Sequence, residues 1–224
     1  PTMTAAKAAE AESVASEYIA PEQEETYNEV KEVLRESTVD QAAFADLTEN
    51  NISYNNDVSS EQSVELTNHK SEVISAKEEI KLIETQINNE NNESKKEKLV
   101  QELNDKKVAL NKKEKDLILT YAEINKDEIA HNDSIFKDAN VDLVPEAKED
   151  EDFLSATVFI EQSKSQLKAA ETARLKAESS DSNEEKTKLL NEAVQLEMAA
   201  IDNQQTANNL IVEVKEKYES EEEV

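Results

Sequence analysis

Glycine occurs nowhere in the 224 residues, nor do cysteine or tryptophan, and there are only three prolines. Average glycine usage is about 7%, so its absence is the strongest single constraint. Glycine supplies positive φ in tight turns, sheet bulges and phosphate-binding loops. Phosphate loops, dinucleotide-binding turns and nucleophile elbows all need it and are excluded. Helices joined by Asn, Asp and Ser turns can do without it, because Asn and Asp tolerate the left-handed region. An all-α fold follows. The lack of cysteine removes thiolate metal sites and any redox clue to compartment. Aromatic residues are 4% of the chain and mean hydropathy is −0.79, which leaves no large globular core. No apolar run approaches the ~20 residues of a membrane span. No signal peptide is visible, and a start at Pro1 without Met suggests a processed or excised fragment. Positive charge is scarce: the formal net charge is −27. Nucleic acid and anionic membrane surfaces are thereby disfavoured as partners.

What the chain does have is heptad spacing. Leu103, Leu110, Leu117 and Ile124 recur every seven residues, with Val100 and Tyr121 on the same stripe. Lysines and glutamates fill the positions between them. A narrow apolar seam on a charged rod is the pattern of a coiled-coil helix. A second seam, Leu66, His69, Val73, Ala76, Ile80, Ile83 and Ile87, alternates three and four without a fault. Between the two lies the polar run 88–92, and Ser94 with Glu97 reads as a capping box restarting the helix. Two seamed helices across a short polar turn fold back on each other, since neither buries its seam alone.

Taken in order, residues 1–60 read as short acidic helices. Pro21 separates the first two, and the third carries Ala43, Phe44 and Leu47. Residues 61–137 form the long hairpin, and 138–152 a linker whose Val141, Leu143 and Val144 dock on a helix. Residues 153–217 form a second hairpin. Its first seam is Val158, Ile160, Leu167, Ala170, Ala173 and Ala177. Its second is Leu189, Ala193, Leu196, Ala200, Asn203, Ala207, Leu210 and Val214. The turn lies at 180–183, with Asp181 and Glu184 as a capping pair, and 218–224 is a fraying acidic tail. The fold class expected is all-α: antiparallel, coiled-coil-like helical hairpins packed as an elongated bundle or a short solenoid. The first hairpin is the longer, so part of it projects.

Lys96–Val100 and Lys186–Leu190 lie ninety residues apart and share a pattern, so the two hairpins read as copies of one unit or as chance likeness of long helices. The alanine ladder Ala193, Ala200 and Ala207 and the run from Lys188 to Ala193 resemble tetratricopeptide-like arrays of bacterial cell-envelope proteins. The resemblance covers about a third of the chain. It lacks the family's Trp, Leu-Gly, Tyr and Pro signature, and the hairpins exceed the ~34-residue repeat. It implies a helical scaffold that holds partner proteins, and it favours periplasm or cell envelope over cytoplasm.

Chemistry-bearing candidates are few. His69 sits on a seam, where packing explains it better than ligation, and His131 lies near a helix end, where the dipole favours a cation. The acidic runs at 149–152 and 221–223 lack the glycine and ligand alternation of a calcium loop. Asn203 either fixes register or is partly exposed. Lys107 and Glu114 interrupt the leucine seam, either facing solvent or marking where a neighbouring helix stops. Asn51, Asn92 and Asn132 each begin an N-x-Ser triplet, relevant only to a eukaryotic secretory setting. No catalytic, cofactor or metal residue is assigned. The expectation is a non-catalytic scaffold or spacer with protein partners; the alternative is a binding module, an adhesin or a holdase-like chaperone. Such a chain is a monomer, or a weak dimer through leftover seam residues such as Tyr121 and Leu119.

Overall fold

The structure, a computed structural model, describes residues 47–49, 53–56 and 58–222. The short helices expected before residue 47 lie outside the described residues. Four long helices follow: α1 Ser60–Asn89, α2 Glu93–Asp142, α3 Glu151–Ser179 and α4 Asn183–Glu222, with a 3-10 turn at Pro145–Glu149 between α2 and α3. There is no strand among the described residues. The all-α expectation is met, as a helical bundle.

Each helix starts on a side chain that accepts one of the N–H groups its first turn leaves unpaired. Ser59 and Gln62 form a reciprocal capping box at α1. Asn92 Oδ1 accepts from Lys95 N at 3.1 Å, so α2 begins two residues before the expected Ser94 box. Asp150 caps α3, and Ser182, not Asp181, caps α4 through Glu185 N at 3.3 Å. No described residue has positive φ. The reversals are made by extended residues instead, Glu90 at φ −86, ψ 124 and Ser180 at φ −75, ψ 139. The glycine-free turns therefore do not draw on the left-handed tolerance of Asn and Asp.

α1 packs on α2, α2 on α4, and α4 on α3. The α1–α2 pair is antiparallel, tied by Glu79–Lys106 at 2.6 Å, Glu84–Lys107 at 3.5 Å and Glu72–Lys113 at 3.6 Å. The α3–α4 pair is also antiparallel, through Arg174–Glu197 and Gln166–Asn203. The two hairpins join through α2 and α4, which run parallel. Bonded pairs from Asn111–Thr187 to Asp142–Lys215 keep a sequence separation of 72–77 along the interface. That packing register differs from the ninety-residue offset of the sequence likeness.

The register leaves the first hairpin unaccompanied at its tip. Thr187 lies beside Asn111, so α4 begins level with about residue 107 of α2. Residues 93–106 of α2 and the stretch of α1 facing them have no further described helix alongside. At ~1.5 Å per residue this arm is roughly 20 Å long.

The core is several small clusters strung along the helices. One joins Leu47, Val73, Leu117, Ile118, Tyr121, Val194 and Met198. Another is the alanine-rich contact of Ala169, Ala170 and Ala173 with Ala193 and Leu196, where small side chains let α3 and α4 approach closely. A third closes the base, with Leu143, Ala147, Ile211 and Val214 under Phe136, Phe153 and Tyr218.

Some expectations are corrected. Val158 is 55% exposed, because two residues along a helix is more than half a turn, and Ile160 takes the buried side with Ala156 and Ser163. Val141 is 80% exposed, since α2 continues to Asp142 and turns it outward; Leu143 and Val144 make the docking contacts. Tyr121 is 1% exposed and is no leftover seam residue, whereas Leu119 does face solvent. The last helix continues past 218, and Tyr218 packs into the base cluster and donates to Asp150.

Candidate functional site

Where α2 meets α4 the seam turns polar. Asn125, Glu128 and Asn132 on α2 face Glu197, Gln204 and Asn208 on α4, all of them buried. Their spacing is heptad-like on both helices, so the positions are core positions filled with polar side chains. Such groups are tolerated inside only when hydrogen-bonded.

Glu128 is 1% exposed and its carboxylate is saturated. Oε1 accepts from Asn55 N at 2.9 Å, Asn132 Nδ2 at 3.0 Å and Gln205 Nε2 at 3.0 Å; Oε2 accepts from Asn56 N at 2.8 Å. Burial alone pushes this carboxyl up, but the four donors outweigh it and hold it below the ordinary carboxylate value. Beside it, Tyr54 donates to Asn125 Oδ1 at 2.9 Å, and Asn125 Nδ2 reaches Glu197 Oε2 at 3.4 Å. Arg174 of α3 closes the thread on Glu197. Burial, then the nearby Tyr121, Glu128 and Glu197, raise the Tyr54 hydroxyl, and burial pushes Tyr121 up to about 12. Both hydroxyls stay protonated as donors, Tyr121 to the Leu47 carbonyl at 3.0 Å.

The polar thread runs from α3 through α4 and α2 to residues 53–56. The only cleft beside Glu128 among those described is about 20 Å³. A larger cleft, about 360 Å³, lies at the root of the arm. Val73, Leu110, Leu117 and Ile118 line it, with Leu47 at one side and Lys107, Glu114, Glu184 and Lys188 at the rim. Lys107 and Glu114, which interrupt the leucine seam, therefore mark the place where α4 joins the hairpin.

The other singled-out residues fall in structural roles. His69 Nδ1 lies 2.9 Å from Thr120 Oγ1 across the first hairpin, and His131 is half-buried on α2. Asn203 is half-buried and donates to Gln166 Oε1 of α3 at 2.8 Å, so it ties the second hairpin. In the acidic run at 149–152 only Asp150 is buried; it accepts from Lys217 Nζ at 2.6 Å, and this bond above all keeps its carboxyl below the ordinary range. Asn132 is buried and unavailable for modification, and Asn92 is the cap of α2. Among the described residues no group of three His, Asp or Glu is placed to hold a metal ion, and no helix is long and apolar enough to cross a membrane.

Compared with protein-family models, with curated proteins and with solved structures, the chain matches none.

Proposed function

We propose that this chain is a non-catalytic helical scaffold or spacer that holds protein partners and presents its first hairpin as a coiled-coil arm. The observation that carries this reading is what the buried Glu128 carboxylate is used for. The buried carboxylate of Glu128 is spent on fixing α2 against α4 and on residues 53–56, while one hairpin extends past its neighbours. Long paired helices set distance, and an arm with no further described helix beside it is the surface we assign to a partner. The likeness of the second hairpin to tetratricopeptide-like arrays agrees with scaffolding in a bacterial envelope. The net charge of −27 argues for protein partners over nucleic acid or anionic lipid.

The test is site-specific photocrosslinking in the native cells, with the probe at Leu82, at Val100 or, as a body control, at Val158; all three are exposed. Adducts with the same protein at the two arm positions and none at Val158 support the reading. Adducts confined to Val158 overturn it.

A holdase-like clamp is the second reading. Leu82 and Val100 are exposed on the arm, as a client-binding surface requires. The turn itself, 88–92, is wholly Asn and Glu and gives such a client nothing apolar. Suppression of aggregation of a heat-denatured enzyme, lost in Leu82→Ser/Val100→Ser, would favour the clamp.

A further inference from the structure

Residues 53–56 lie across α2 and α4 without joining either hairpin, and hydrogen bonds to their main chain fix them there. Gln205 Nε2 donates to the Ser53 carbonyl at 2.9 Å. Glu128 accepts the next two amides in the chain, one on each carboxylate oxygen: Asn55 N at 2.9 Å and Asn56 N at 2.8 Å. Tyr54, between them, reaches Asn125 at 2.9 Å. Upstream, Leu47 closes the apolar cluster of Val73, Leu117, Val194 and Met198, with its carbonyl taken by Tyr121.

We propose that Glu128 is a charge-operated latch: its carboxylate pins residues 53–56 to the bundle, and neutralising it releases them while the four helices stay packed.

The chemistry is directional. An ionised carboxylate offers only acceptors, which two successive main-chain N–H groups require. A neutral amide in its place must turn its NH2 toward one of them, donor against donor. Each helix pair keeps contacts that do not involve Glu128. α1 and α2 hold through Val73, Ala76, Ile80 and Ile83 with the three ion pairs. α3 and α4 hold through the alanine contact. α2 and α4 keep Asn132–Asn208, Gln204–Ile129 and Lys215–Asp142. The ionisable groups around the latch are Tyr54 from the pinned stretch, Asp127 of α2, to which Gln62 of α1 donates at 3.5 Å, and Glu197 of α4 backed by Arg174 of α3. Among the described residues none of these places a cation directly on Glu128, and main-chain and amide donors compensate its charge. Release loosens the hold on Leu47, which packs with Val194 and Met198.

The experiment is residue-resolved amide exchange on the full chain, wild type against Glu128→Gln. Replacing one carboxylate oxygen by an NH2 group, and removing the charge, should speed exchange at Asn55 and Asn56 by about tenfold or more, with amides in the middle of α2 and α4 within about threefold of wild type. Unchanged protection at Asn55 and Asn56 overturns the latch. So does parallel loss across α2 and α4, which would make Glu128 a plain structural residue of the bundle. Asn56→Pro provides a second reading from the other side of the bond, because it removes one donor and leaves the bundle interior intact. Faster exchange at Asn55 with the helices unchanged supports the latch even if Glu128→Gln fails to fold, and a still-protected Asn55 overturns it.

Discussion

Truncating two leucines of the same seam should give very different losses. Leu117 is 2% exposed in the cluster where α1, α2 and α4 meet, and Leu103, fourteen residues earlier, is half-buried in the arm with α1 as the only described helix opposite. Leu→Ala at a fully buried site removes the transfer energy of the lost methyls and leaves a cavity, together about 3–4 kcal/mol. At Leu103 water can fill the space, so only the transfer part of a half-buried side chain is lost, about 1 kcal/mol. For a chain of this size each kcal/mol moves the melting temperature by about 2–4 °C, so Leu117→Ala should lower it by roughly 10 °C and Leu103→Ala by at most about 4 °C. Circular dichroism melts measure the first quantity. Amide exchange measures the second, which should appear as faster exchange in the arm with the body unchanged, because sub-global opening is confined to the weakest unit. Equal falls in melting temperature would refute the division into a two-helix arm and a multi-helix body.

Salt separates two opposed electrostatic effects. The three ion pairs of the first hairpin are exposed and add little, while a net charge of −27 repels itself over the whole chain, so raising salt from 0.05 to 1 M should raise the melting temperature; a steady fall would contradict this. At the base, the Asp150 carboxyl is depressed by its bond from Lys217, so its contribution is complete above the unfolded value and lost as pH falls through the folded one. Asp150→Ala should therefore fray the start of α3 and the end of α4 at pH 7 more than Asp150→Asn, which keeps a cap; equal exchange in the two variants would sink that. Tyr54 and Tyr121 are both raised by burial, Tyr121 to about 12, so the stability they add is whole below about pH 10 and lost above it. Absorbance at 295 nm should show these two ionising only together with the loss of helix, and an early smooth titration of all the tyrosines would speak against their burial.

The first hairpin was legible in the sequence because its seam is apolar and faces one partner. Val73 meets Leu110 and Leu117 as the three-four spacing requires, Ile80 and Ile83 are buried on the same stripe, and the alanine seam of α4 is likewise found on α3. What the spacing did not disclose is the second buried face of α4. Val194, Glu197, Ile201, Gln204, Asn208 and Ile211 also alternate three and four, and all are buried against α2. Half of them are polar, so a search for apolar periodicity passes over them. Their partners Asn125, Glu128 and Asn132 are hidden for the same reason.

The polarity of that interface accounts for the shape of the molecule. Two apolar hairpins could stack in many registers, because alanine and leucine faces accept sliding by a heptad at little cost. A face of Asn, Gln and Glu favours the register in which its buried groups make the most bonds, since every unmade bond costs roughly 1–3 kcal/mol. Asn125 with Glu197, Ile129 with Gln204, and Asn132 with Asn208 all hold the separation of 72–76, and a slip of one heptad would break the set together. That separation, shorter than the ninety residues between like points in the sequence, carries α4 toward the base and leaves the tip of the first hairpin uncovered. The arm therefore follows from the buried amides and carboxylates: exchanging them for leucines should keep the four helices and lose the single offset between the hairpins.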